Sequence, residues 1–255
     1  MIRLFSLTCL FALLFAARLP VSGQESQPAP DKTEPKPADN GDGYDRPTKY
    51  PRIRFKGENI EKVATPDGGS KDVKSRAYLI DLSAAMTASS TLSDGTETTR
   101  LARLKAIMTQ ALESIAKSRD MVFNIGSFGT ESVFADDKSP VAVTPDIIDR
   151  AKKWIDELAA SGDSDLYPLL FALYEQAPTS ATLLVGSDPI KPADVSDAAI
   201  AAAGTLQDYL VKFVEECRKA GKKTTLDIVG IDLSDTQREF YRRLAKAGGG
   251  VYLDG

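Results

Sequence analysis

The side chains best suited to chemistry in this chain are oxygen donors. Asp81 closes an apolar run, Ala77–Ile80, and the hydroxyl of Ser83 follows two residues later. Ser164 and Asp165 belong to a turn that begins Ser161-Gly162-Asp163. A third group, Gly186-Ser187-Asp188, follows the apolar stretch Thr182–Val185. Hard divalent cations take oxygen ligands, octahedrally for Mg²⁺ and more loosely for Ca²⁺. Hydroxyls and carboxylates drawn from separate loops can supply such a shell and leave one position for a partner's carboxylate. The same residues suit another role, in which Asp81 accepts hydrogen bonds from the turns around Ser83 and Ser164. Residue types and spacing leave both roles open.

Other chemistry is excluded more firmly. The chain has no histidine, so histidine-based catalysis and histidine metal sites are absent. It has no G-x-x-x-x-G-K-[ST] run, and Gly248-Gly249-Gly250 precedes a strand pattern rather than a helix, the wrong context for cradling phosphate. Ser83 and Ser187 have no histidine or lysine motif beside them to act as a base. The chain is therefore expected not to be an enzyme. The alternatives are a metal-assisted hydrolase on the same loops and a structural protein that self-associates through helix faces or an edge strand.

The segments that must position these residues occupy only part of the 255 residues. Residues 1–23 read as a secretory signal peptide: Arg3, then an apolar run of 14 residues from Leu4 to Ala17, then Val21-Ser22-Gly23 before a cut at Gln24. That run is short for a membrane span of ~20 residues, so no span is expected after cleavage. The expected location is secreted or otherwise extracytoplasmic, in a periplasm or at a cell surface. Cleavage removes Arg3, Arg18 and no acid, which takes the net charge from −4 to −6. A modestly acidic chain argues against nucleic acid as a partner. Cys217 is then the remaining cysteine, and with Leu206, Leu210 and Val214 it falls on one helical face as a small packing residue. Residues 24–50 are rich in Pro and Asp with few apolar residues, which predicts a disordered linker. Within it Asn40-Gly41-Asp42-Gly43 imitates a calcium loop, but Ala38 and Lys49 stand where acids belong.

Residues 51–74 form a short lead-in, with Arg52–Lys56 alternating like an edge strand and Thr65–Lys74 polar and glycine-bearing. From 75 to 255 strand and helix patterns alternate. Ala77–Ile80, Met121–Phe128, Thr182–Val185, Thr225–Ile231 and Val251–Leu253 read as strands, and Glu131–Phe134 as a short antiparallel strand in a hairpin with Met121–Phe128. Thr87–Thr98 reads as a hydroxyl-rich loop. Helices are expected after Thr98 or Thr99, after Thr144-Pro145 with Ile147 inward, over Asp165–Gln176, across Val195–Lys219 with a weak point at Gly204, and after the capping box Ser234-x-x-Gln237. This order predicts an α/β fold: a doubly wound, mostly parallel six-stranded sheet, one short antiparallel edge strand, and helices on both faces.

Six ordered pieces of the chain resemble a von Willebrand factor type A domain over roughly residues 75–255. Asp81-Leu82-Ser83-Ala84-Ala85-Met86 is similar to the first motif of that family's metal-ion-dependent adhesion site. Ser161–Tyr167 corresponds to its threonine turn, with Ser164 at the threonine, and Leu183–Pro189 to its aspartate turn. The tail pieces Ile228–Asp232, Phe240–Ala245 and Gly248–Tyr252 fit as well. The resemblance implies an exported, non-catalytic protein-binding module for adhesion or complex assembly, with an unidentified protein partner. It implies Asp81, Ser83 and Ser164 as metal residues. Ala85 replaces the family's second serine and Gly186 its last aspartate, with Asp188 two residues on as a substitute. The cofactor expectation is accordingly none, or weakly bound Mg²⁺ or Ca²⁺, at a degenerate adhesion site.

Overall fold

A computed structural model describes residues 62–64, 70–118, 120–130, 133–134 and 140–255, with the backbone alone at 62–64 and 70–72. The expected signal peptide, the linker, the calcium-like loop and the Arg52–Lys56 strand lie outside these residues. Strands β1 (Lys62–Ala64) and β2 (Ser70–Asp72) pair antiparallel with each other. The polar stretch expected before the first core strand thus contains a strand of its own.

The main sheet contains β3 (Lys74–Asp81), β6 (Met121–Phe128), β7 (Val141–Ala142), β8 (Ser180–Val185), β9 (Thr225–Gly230) and β10 (Gly249–Asp254). Its order is β10-β9-β8-β3-β6-β7. All pairings are parallel except that of β7 with β6. The expected doubly wound fold is therefore the observed one. Of the strand expected over 131–134, residues 131–132 lie outside the described residues and Val133 makes an isolated antiparallel bridge to Gly126; among the described residues the edge strand is β7, opposite Val122 and Phe123. Phe134 explains why a strand pattern stood there. It is buried for packing, stacking on Phe123 with ring centroids 5.8 Å apart and meeting Trp154 edge-on.

Helix α1 (Arg100–Ile115) follows a small antiparallel ribbon, β4 (Ser89–Thr91) with β5 (Glu97–Thr99). The ribbon replaces the expected loop. Its β-branched threonines suit strands, and Asp94-Gly95 reverses the chain, Gly95 taking φ +85°. The remaining helices are α2 (Pro145–Glu157), α3 (Tyr167–Gln176), α4 (Asp197–Ala203), α5 (Leu206–Lys219) and α6 (Asp235–Ala247). Thr99, Thr144, Ser196, Thr205 and Ser234 cap five of them by accepting a backbone N–H. At Ser234 the box with Gln237 is complete. Gly204, at φ +114°, divides the expected alanine-rich helix into α4 and α5. In α2 the inward residue is Ile148, whereas Ile147 is half-buried.

Strand periodicity sorts the core. Ala77, Leu79, Ala181, Leu183, Val185, Leu226 and Ile228 join one cluster with α3, α5 and α6. Tyr78, Ile80 and Leu184 point to the other face, where α1 and α2 bury Leu104, Met108, Leu112, Ile148 and Ile155. Cys217 packs against the first cluster, as its helical spacing predicted. No helix among the described residues is long and apolar enough to cross a membrane.

The winding fixes where a site belongs. From β3 the chain crosses to β6 on one side; from β8, also beside β3, it crosses to β9 on the other. The carboxyl ends of β3 and β8 therefore flank the switch point, where open α/β sheets place ligands.

Candidate functional site

Asp81 is the last residue of β3 and is fully buried. Its carboxylate accepts three hydrogen bonds: from the Ser83 amide at 2.9 Å, the Gly186 amide at 3.0 Å and the Ser187 hydroxyl at 2.6 Å. Such donors substitute for the water that burial removes from the charge. Ser187 in turn lies 2.6 Å from the Ser164 hydroxyl and 3.4 Å from that of Ser83. Ser83, Ser164 and Ser187 are all buried. The structure thus brings together the three residues singled out in the sequence, Asp81, Ser83 and Ser164, and adds Ser187 between them.

Backbone contacts hold the loops at this distance. Ala84 N–H donates to Gly162 at 3.0 Å, Ser161 N–H to Leu82 at 2.8 Å and Ile190 N–H to Ser164 at 2.9 Å. Gly129 and Gly162 make the approach sterically possible. Both have positive φ; a Cβ on Gly129 would lie 2.3 Å from Ser83 N, and one on Gly162 would lie 2.8 Å from Gly129 O. The position that the resemblance equates with an aspartate, Gly186, is filled from outside. A Cβ there would stand 2.6 Å from Met86 Sδ and 3.3 Å from Arg100 Cδ.

Arg100 and Arg103 come from the first turns of α1. Arg100 donates to the carbonyls of Gly186 and Asp232, the latter at 3.0 Å. Arg103 donates to the Ser90 hydroxyl, to the Asp232 carboxylate and to the Gly255 carbonyl. The ends of β8, β9 and β10 are therefore fastened to one helix. From α6, the Tyr241 hydroxyl donates to the Ser187 carbonyl at 2.8 Å. Burial, followed by the negative charges of Asp81 and Asp188, pushes the Tyr241 pKa well above the ordinary tyrosine value. Asp188 is exposed and accepts from Gln237 at 2.9 Å.

Among the described residues no three Asp, Glu or Cys side chains gather as a metal cluster would. Three contributors, Arg100, Gly129 and Tyr241, were not legible as site residues. Arg100 carried a faint signal, since a cation in the first turn of a helix opposes the macrodipole and so has another task. Gly129 followed a strand directly. Tyr241 lay on the buried face of a clear helix, and Ser187, an oxygen donor of the third group, was not marked as the centre of the network.

No family model and no curated protein sequence matches the chain. Solved structures are similar at low identity. A von Willebrand factor type A protein from Catenulispora acidiphila is 18% identical with a TM-score of 0.48; the match covers 72% of this chain and 39% of that one. The SpRpn10 VWA domain is 13% identical, TM-score 0.43, over 70% of this chain and 87% of its own. The PilB minor pilin from Streptococcus sanguinis is 13% identical, TM-score 0.45, over 75% and 59% respectively. The chain thus spans about two fifths of the first of these.

Proposed function

We propose that this chain is an exported, non-catalytic protein-binding module of the von Willebrand factor type A kind, with its loop edge assembled without a metal ion. The observation that carries the reading is the buried carboxylate at the switch point, held by three protein donors. Asp81 already accepts from Ser83 on one oxygen and from Gly186 and Ser187 on the other, so protein donors engage both oxygens and fill the second. Among the described residues no second carboxylate joins that network to help offset the dehydration of Mg²⁺, and the guanidinium of Arg100 lies against Gly186. The residues present do not fit a tight ion site.

Several features support binding rather than turnover. The carboxyl-end loops are tied to one another through backbone hydrogen bonds, which lowers the ordering cost of docking a partner. Ala84 and Ala85 are exposed beside that network and offer a small, uncharged platform. The side chains that would do acid–base work there are buried and internally bonded.

The test is melting and partner capture in excess Mg²⁺ or Ca²⁺ and in EDTA, with Ala85→Arg as a surface block. The expected result is one melting temperature in all three media, partner retention that survives EDTA, and loss of retention in Ala85→Arg at unchanged melting. A melting temperature that falls in EDTA sinks the metal-free reading. Retention unaffected by Ala85→Arg moves the binding face elsewhere.

A further inference from the structure

We infer that the Ser187 hydroxyl is a built-in replacement for the divalent ion, the atom that ties three loops to one another. This rests on the metal-free part of the reading above and adds the residue responsible. A single atom, Ser187 Oγ, is within hydrogen-bond reach of all three residues that the resemblance offers as ligands: Asp81 at 2.6 Å, Ser164 at 2.6 Å and Ser83 at 3.4 Å.

A hydroxyl has one proton to give and two lone pairs to accept with. The Asp81 carboxylate can only accept, so the Ser187 proton goes to Asp81. That leaves Ser187 as the acceptor for both other hydroxyls, and it fixes the direction of the Ser164 bond: Ser164 donates. The valence of Ser187 Oγ is then complete, with one bond to the Asp81 carboxylate at the end of β3, one to Ser164 in the turn before α3 and one to Ser83 in the loop after β3.

The backbone of Ser187 is held for this role. Its carbonyl accepts from Tyr241 on α6, and its neighbour Gly186 is bracketed by an N–H bond to Asp81 and a carbonyl bond from Arg100. A side chain at Gly186 would crowd Met86 and Arg100, and the tie comes from the following residue instead. The loss of the family's aspartate and the gain of a central serine are in this view one change.

The experiment is amide hydrogen exchange of the full chain, in Mg²⁺ and in EDTA, for wild type, Ser187→Ala, Ser187→Cys, Ser164→Ala and Ser83→Ala. The reporters are the Ser83 and Gly186 amides, which donate to Asp81, with the Lys74 amide at the far end of β3 as the control. Wild type should exchange alike in both media. Ser187→Ala should speed exchange at Ser83 and Gly186 by about tenfold, as expected for loss of a hydrogen bond to a charged group, with Lys74 unchanged. Ser164→Ala should give a smaller acceleration and Ser83→Ala the smallest, following the distances. If Ser187→Ala does not fold, Ser187→Cys, a weaker donor of similar shape, should accelerate the same two amides. Wild-type rates in the Ser187 variants overturn the hub, even where EDTA leaves the protein untouched. Wild-type exchange that quickens in EDTA overturns the metal-free reading, whatever the Ser187 variants do.

Discussion

The two ends of the central strands are both tied by polar side chains, but they are tied differently. At the amino end, Ser75 and Thr179 exchange bonds, each hydroxyl accepting the other's amide at 3.2 and 3.0 Å. Thr224 donates to the Pro178 carbonyl at 2.7 Å, and Arg218 spans the carbonyls of Thr224 and Gly248 at 2.9 and 3.0 Å. These acceptors are neutral, and the ties act in pairs. At the carboxyl end three donors converge on one buried carboxylate, and a serine network is built onto it. A pairwise tie near solvent can be replaced by water when one member is lost. A convergent tie on a buried charge strands every other member at once.

The largest effect expected from this contrast is at Asp81. All of its partners are donors, so Asp81→Asn places an amide N–H₂ against at least one of them. The cost should be about 3 kcal/mol or more, since the buried donors left behind each cost roughly 1–3 kcal/mol. Ser75→Ala at the other end of the same strand should cost under about 1 kcal/mol, because its exposed partners regain water. Urea unfolding of both variants measures the difference. Equal losses would erase the distinction between the two ends.

A smaller effect is expected from restoring the residue that the resemblance finds missing. Gly186→Asp drives a Cβ to 2.6 Å from Met86 Sδ, the flexible part of a side chain, and to 3.3 Å from Arg100. Overpacking of this kind costs about 1–3 kcal/mol. Melting should fall by a corresponding few degrees, with no recovery in Mg²⁺, because the added carboxylate meets a guanidinium before it meets an ion. A melting temperature that rises with Mg²⁺ in this variant would show that the switch point still accepts a cation.

These contrasts also explain how much of the molecule could be read in advance. Strand and helix order was legible because it rests on apolar period and caps: Thr99, Thr144 and Ser234 cap where their spacing placed them. The edge strand was misplaced because Phe134 is apolar for packing on Phe123 and Trp154, and Val133 for packing on the opposite cluster, a reason that leaves the same trace as a ladder. The ribbon at Ser89–Thr99 was missed because its threonines were read as loop hydroxyls. At the site, Asp81, Ser83 and Ser164 were legible from strand ends and turns. Ser187 was legible as an oxygen donor but not as the centre of the network, because that role depends on a register between β3 and β8 that local sequence does not contain. Arg100 and Tyr241 arrive from helices distant in sequence and contribute through single atoms, so no motif marks them.

The smallest effect separates two buried tyrosines, one at each end. Tyr241 donates to the Ser187 carbonyl, whereas the Tyr174 hydroxyl, at the amino end beside Gly248, is buried with no hydrogen-bond partner among the described residues. Burial raises both pKa values above the usual 10.0, with the charges of Asp81 and Asp188 adding to the effect at Tyr241. For a group raised in the folded state, the stabilising contribution is complete below the unfolded pKa and is lost as pH climbs toward the folded one. Stability should therefore hold up to about pH 10 and fall above it, and either Tyr→Phe change should make that alkaline fall shallower. At neutral pH the two variants should part. Tyr241→Phe loses a bond and should cost about 1 kcal/mol, while Tyr174→Phe removes a stranded hydroxyl and should cost nothing or add slightly to stability. Melting followed from pH 7 to 11 gives both readouts in one series. A neutral-pH loss in Tyr174→Phe as large as in Tyr241→Phe would mean that the Tyr174 hydroxyl is held as firmly as that of Tyr241, and this asymmetry between the ends would have to be given up.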